Sequence, residues 1–255
     1  MKFICVRCST EENVVGDTAP LCAVCNIPLI RTIGTTDTYT GVFLSPSLVN
    51  RRFTSAAEEH GYEKALTGTV KQEREAWIAA AWALCMQQET GREYWIEIVT
   101  QDQTPDCKVH FIDQSKGYNH LFTHNLEIVE WDPHRPDLMD VVRQKCAKAY
   151  PSYFSLVVLA RNGKGVNFPD DIQGLNELKI PFSEMWIMGR ASPDTTTYSV
   201  CLFHPHIKLM RFDLRDALER NKDQMDFLQP EGRGRETEFK YRGFMHMPIK
   251  KSRKK

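Results

Sequence analysis

Residues 104–113 read TPDCKVHFID. A Pro-Asp pair stands immediately ahead of an alternating run, Cys107 to Asp113, in which apolar and polar residues take turns as they do along a half-buried strand. Pro and Asp are ordinary turn residues, so Asp106 reads in two ways: as the residue that ends a turn, or as a carboxylate held at the head of a strand. The elements on either side decide between the two. Upstream, TVKQEREAWIAAAWALCMQQETG (69–91) predicts a long helix that stops at Gly91, and REYWIEIVTQ (92–101) predicts a strand. Downstream come a strand at HNLEIVEW (124–131), an amphipathic helix at PDLMDVVRQKCAKAY (136–150) and a strand at YFSLVVLAR (153–161). That last run is almost continuously apolar, as expected of a strand covered on both faces. In the helix, Leu138, Val141, Val142 and Cys146 recur at helical spacing.

Further out the signals weaken. IRTIGTTDTYTGVFLS predicts one or two short strands. SPSLVNRRFTSAAEEHGYEKAL predicts a helix from about Ser55, capped by Thr54 or Ser55. Beyond residue 161, PDDIQGLNEL suggests a short helix, EMWIMGRAS and TTYSVCLFHP two strands, and RFDLRDALERNKDQM a final helix. From Gly232 the chain changes character: GRGRETEFKYRGFMHMPIKKSRKK interleaves Arg and Gly with aromatics and ends almost wholly basic. Such a tail suits phosphate contacts or a solvated terminus.

At the front, Cys5, Cys8, Cys22 and Cys25 form two CxxC pairs with thirteen residues between them. Two such knuckles bring four thiolates around one Zn²⁺, and four cysteine ligands leave no open position, so the metal would be structural. The alternative is two disulfides. The start of the chain lacks a secretory apolar run, and Cys85, Cys107, Cys146 and Cys201 sit singly inside apolar stretches as reduced core residues do. Both features predict a reducing, cytoplasmic setting and therefore zinc. The first thirty residues thus resemble a zinc ribbon, a module that binds nucleic acid or protein or braces a neighbouring domain.

The whole chain has 255 residues, with 33 Lys+Arg against 33 Asp+Glu. Net charge therefore gives no argument for a nucleic-acid or acidic partner; such an argument must be local. No stretch approaches the length of a membrane span, so no membrane partner is expected. The chain has no Walker A loop, Rossmann glycine fingerprint or nucleophile elbow. His120 and His124, and His204 and His206, are close in sequence, but no Cys or acidic residue joins them at a diagnostic metal spacing.

Helix–strand–strand–strand–helix–strand, with Pro105-Asp106 before the second strand and Glu127 on the third, resembles the PD-(D/E)xK nuclease superfamily over roughly residues 68–161. The resemblance implies an α/β fold: the zinc ribbon (1–30), a connecting segment (31–67), a restriction-endonuclease-like αβββαβ core with extra strands (68–231) and the basic tail (232–255). It implies phosphodiester hydrolysis assisted by Mg²⁺ or Mn²⁺. Asp106 and Glu127 would ligate the metal, and Glu73 or Glu75 from the first core helix would assist. The family's lysine should fall two residues after Glu127, but Val129 stands there. Lys108, on the strand and face of Asp106, is the expected substitute. The resemblance implies nucleic acid as partner, DNA before RNA, with a protein partner for the ribbon as a further expectation. The missing lysine supports an alternative: a catalytically inactive nuclease-like subunit that binds nucleic acid or protein.

Overall fold

The computed structural model describes residues 2–4, 11–13, 23–24, 30–31, 42–61, 64–65, 70–99, 105–113, 120–131, 137–161, 173–175, 177–192, 195–231 and 238–242. They form a mixed α/β structure. Three short strands, β1 (Lys2–Ile4), β2 (Glu11–Asn13) and β3 (Ile30–Arg31), make a small antiparallel sheet in the order β2-β1-β3. The remaining strands are β4 (Phe43–Leu44), β5 (Tyr94–Ile98), β6 (Cys107–Asp113), β7 (His120–Trp131), β8 (Phe154–Ala160), β9 (Glu184–Arg190), β10 (Thr197–His204), β11 (Lys208–Asp213), β12 (Phe227–Glu231) and β13 (Glu238–Arg242). They form one ten-stranded sheet in the order β11-β10-β9-β8-β7-β6-β5-β4-β12-β13. β7, β8 and β9 run parallel and every other pairing is antiparallel.

Among the described residues, four helices cover this sheet: α1 (Pro46–His60), α2 (Lys71–Thr90), α3 (Leu138–Cys146) and α4 (Leu214–Arg220). α2 is buried nearly all round. Its Ala76, Ile78, Ala79, Ala80, Trp82 and Ala83 are at most 1% exposed, as expected of a helix whose sequence is apolar on every side. It ends where Gly91 adopts a left-handed φ of 68° and its N–H bonds Gln87 O at 2.8 Å, a conformation that glycine takes without a Cβ penalty. α1, α2 and α4 pack on one face of the sheet, against Leu126 and Ile128 of β7, Val157 and Leu159 of β8 and Trp186 and Met188 of β9. α3 packs on the other face, through Leu138, Val141 and Val142, against Trp131, Leu156, Val158, Met185 and Ile187. Alternate residues of β7 and β8 thus serve separate cores, which is why β8 reads as unbroken apolar sequence.

Several boundaries depart from the sequence expectation. α1 begins at Pro46 and not near Ser55: Ser45 is the cap, its hydroxyl accepting from Leu48 N at 3.1 Å, and Pro46 occupies the first turn. Val49, Phe53 and Ala57 then form the buried stripe. The segment expected as one helix from Arg211 is strand β11 through Asp213, whose side chain caps the shorter α4. β7 starts four residues earlier than expected, at His120. Part of the expected basic tail, Glu238–Arg242, is the edge strand β13, paired with β12. The short helix expected within 169–178 is represented among the described residues by a helical turn at 173–175. Cys85, Cys107 and Cys201 are buried and carry free thiols, while Cys146 is half-buried.

Candidate active site

The register between β6 and β7 sets the site. Cys107 pairs with Leu126 and Lys108 with Asn125, so one further step outward brings Asp106 beside Glu127. Leu126 and Ile128 belong to the core beneath α2. Alternation therefore turns Glu127 to the other face, where α3 lies. Asp106 Oδ2 accepts from Ile128 N at 2.8 Å, which closes the end of the β6–β7 ladder with a side chain and fixes the carboxylate. Glu127 is 2% exposed. A carboxylate this deeply buried requires a charged or hydrogen-bonding partner. Lys145, near the end of α3, supplies it: its Nζ donates to Glu127 Oε2 at 3.0 Å and lies 3.9 Å from Asp106 Oδ2. The ammonium also sits 6.0 Å from the centre of the Tyr150 ring. Burial, and then a hydrogen bond to Glu127 and the charge of its carboxylate, push the Tyr150 hydroxyl well above its usual pKa.

α2 borders the site at its first turn. Glu75 pairs with Lys71 at 3.3 Å. Burial, and then the negative charge of Asp106, raise the Glu75 carboxyl above its ordinary pKa. Glu73, one position further round the helix, is half-exposed and its side chain makes no ion pair among the described residues. Glu130 points to the opposite face from Glu127, where it is held by Arg74 and, at 3.1 Å, by Arg161.

Of the residues selected from sequence, the fold brings together Asp106 and Glu127, and Glu75 is near enough to Asp106 to feel its charge. It does not bring Lys108 to them as the stand-in lysine. Lys108 shares a face with Asp106, as expected, but its ammonium is directed to Glu97 at 3.5 Å. The lysine between the two carboxylates is Lys145, which sequence reasoning missed. The signal was present: Leu138, Val142 and Lys145 lie on one helical stripe, so a cation stood on the buried side of an amphipathic helix. Cys5, Cys8, Cys22 and Cys25 lie outside the described residues, as do 232–237 and 243–255 of the basic tail.

The donor set is chemically suited to a hard divalent cation. Asp106 and Glu127 offer carboxylate oxygens that share a single ammonium, and Glu75 feels the negative charge of Asp106. Among the described residues no three His, Cys, Asp or Glu converge into a metal-holding group. Two carboxylates are enough where the remaining positions are taken by water and phosphate oxygens, as is usual for Mg²⁺.

His110 is fully buried; its Nε2 contacts Glu97 Oε2 at 2.9 Å and its Nδ1 contacts Thr123 Oγ1 at 2.9 Å. His124 lies among Trp82, Tyr94 and Phe111, and burial lowers its pKa to about 4. Neither joins the carboxylates. Among the described residues no helix is long and apolar enough to cross a membrane. No family model, curated protein or solved structure matches this chain.

Proposed function

We propose that this chain is a metal-dependent nuclease, or a nuclease-like nucleic-acid-acting protein, similar to the PD-(D/E)xK superfamily. The observation that carries the reading is the placement of Lys145 between Asp106 and Glu127 at the point where β6 leaves β7. The element order α2-β5-β6-β7-α3-β8 adds support, since it is the order expected of that core. In this reading Asp106 and Glu127 hold Mg²⁺ or Mn²⁺. A divalent ion there supplies charge neutralisation at a phosphodiester and a more acidic water. Lys145, beside both carboxylates, would present its ammonium to the charge that develops on the phosphate. Glu75, whose carboxyl is raised in pKa by burial and by Asp106, would accept a hydrogen bond from a water at the rim. Burial of Glu127 keeps these charges in a low-dielectric setting where each interaction counts for more.

The second reading, an inactive nuclease-like binding subunit, is favoured by the same contacts seen differently. Asp106 is tied to Ile128 N, and Glu127 already has a cationic partner, so the cluster can serve as a metal-free structural device. Incubating the protein with single- and double-stranded DNA and RNA, with Mg²⁺, Mn²⁺ or EDTA, separates the two. Metal-dependent cleavage supports the first; absence of both cleavage and divalent-ion binding leaves the second. For the front of the chain we retain Zn²⁺ on Cys5, Cys8, Cys22 and Cys25 as part of the proposal. Elemental analysis should find about one equivalent per chain, and Cys22→Ser should lower it.

A further inference from the structure

On the opposite face of the sheet from Glu127, a cavity of about 500 Å³ opens between α1, α2, β9, β10 and the start of α4. Its inner wall is aromatic: Phe53 from α1, Trp77 from α2 and Tyr198 from β10. Phe53 and Trp77 stack with centroids 5.1 Å apart, and Tyr198 meets Trp77 edge-on at 6.3 Å. Its rim is polar and carries both signs of charge, with Glu58 and Thr54 on α1 and Arg190 at the end of β9, all three exposed. Two hydrogen bonds hold this arrangement. Trp77 Nε1 donates to Asn50 Oδ1 at 3.2 Å and fixes the indole, and Arg190 Nε donates to the Tyr198 hydroxyl at 3.2 Å and fixes the guanidinium at the mouth.

The volume lies in the range of small-ligand sites, which combine apolar walls with a few placed polar groups. Aromatic walls favour a flat ring. A guanidinium is the side chain best suited to a phosphate or carboxylate, and its presence at the mouth disfavours a cationic ligand. Glu58 can accept from a ring amino group. We infer that this cavity binds a nucleotide-type ligand, a heteroaromatic ring bearing an anionic phosphate, with the ring against Phe53, Trp77 and Tyr198 and the phosphate at Arg190. The same chemistry comes from a free mononucleotide or from one unstacked base of a single strand. Trp77 follows Glu75 by two residues on α2, so an occupant would bear on the helix that borders the acidic site. The inference itself does not depend on that site being catalytic.

Calorimetric titration of the full chain with adenosine monophosphate, adenosine and a short single-stranded oligodeoxyadenylate, all without divalent metal, tests it. Saturable binding is expected for the monophosphate, with adenosine weaker by about tenfold or more. Thr54→Phe, at an exposed helix position over the mouth, should weaken the monophosphate by about tenfold, and Arg190→Gln should bring it down to the affinity of adenosine. If only the oligonucleotide binds, and Thr54→Phe weakens it, the ring belongs to a polynucleotide and the cavity assignment stands. If neither monophosphate nor oligonucleotide binds, or if binding is indifferent to Thr54→Phe, the cavity is not a nucleotide site. Adenosine binding as tightly as the monophosphate would overturn the role given to Arg190.

Discussion

Two polar clusters lie on the same face of the sheet, and they are built on different terms. The first is Asp106, Glu127 and Lys145; the second is Glu97, Lys108, His110 and Thr123. In the second, both nitrogens of the buried imidazole are engaged and Glu97 meets His110 at one oxygen and Lys108 at the other. Burial, against the opposing pull of Glu97, lowers the His110 pKa and favours the neutral ring. In the first, two carboxylates share one ammonium, and burial together with the charge of Asp106 pushes the Glu75 carboxyl up in pKa. Burial of polar groups is common to both, so burial does not mark function. What distinguishes the first cluster is a deficit of positive charge, which a cation can make good.

The sharpest way to break this contrast is to neutralise one carboxylate. Asp106→Asn keeps the size of the side chain and its fit in the turn while removing the charge. Metal-dependent cleavage should fall by roughly a hundredfold or more, with the melting temperature of the metal-free protein little changed. Equal cleavage by wild type and variant would place the chemistry elsewhere and return Asp106 to the role of a turn residue.

Removing the shared cation should act on stability. Lys145→Met preserves the apolar stem but leaves Glu127 buried and uncompensated, at a cost of about 3 kcal/mol in denaturant melts. Glu127→Gln added to Lys145→Met should recover much of that loss, because the charge that lacked a partner is then gone. A Lys145→Met protein as stable as wild type would show that the ammonium is dispensable to Glu127.

For the second cluster the expectation is stability without catalysis. His110→Phe fills the space beside Phe43, on which the imidazole stacks, but removes the hydrogen bonds to Glu97 and Thr123. A loss of about 2 kcal/mol is expected, with divalent-ion affinity and any cleavage unchanged. A large change in metal affinity would mean that the two clusters act together.

An effect seen only through pH belongs to His124. Its folded pKa of about 4 lies below the ordinary imidazole value of 6.5, so the unfolded chain binds the proton more readily. The neutral ring's contribution is whole above pH 6.5, falls as the pH drops through the window between the two values, and levels off near 4. The total is roughly 3 kcal/mol. His124→Phe should flatten that part of the stability profile, and an unchanged profile would assign the acid sensitivity to other groups.

How much of this was legible in the sequence varies with the physics of each feature. Pro105-Asp106 ahead of an alternating run, and Glu127 between core-facing Leu126 and Ile128, are local patterns, and the strands fall where the alternation puts them. The start of α1 was also local, written in Ser45-Pro46, yet the polar stretch before Phe53 obscured it. Lys145 was harder to find. Its stripe position was visible, but its partner Glu127 sits on a strand that only the parallel crossover to β8 brings beneath α3. Lys108 shows the converse: sharing a face with Asp106 was read correctly, while Glu97, on the neighbouring strand, drew the ammonium the other way. β13 escaped notice because a basic, glycine-rich composition dominates that window, and its pairing with β12 is a tertiary fact.

One consequence of the strand order concerns synthesis. From β5 to β11, strands lie beside one another in the order in which they are made, so each can dock soon after it emerges. β4 is the exception. Its outer partner is β12, and Arg51 of the adjoining helix α1 pairs with Asp226, 175 residues later in the chain. At a translation rate of about 5–20 residues per second, that side of β4 waits roughly 10 to 35 s for its partner. During that interval Phe43 and Leu44 form an uncovered sheet edge on an otherwise growing structure, and it is there that a nascent chain is most open to a chaperone or to another copy of itself.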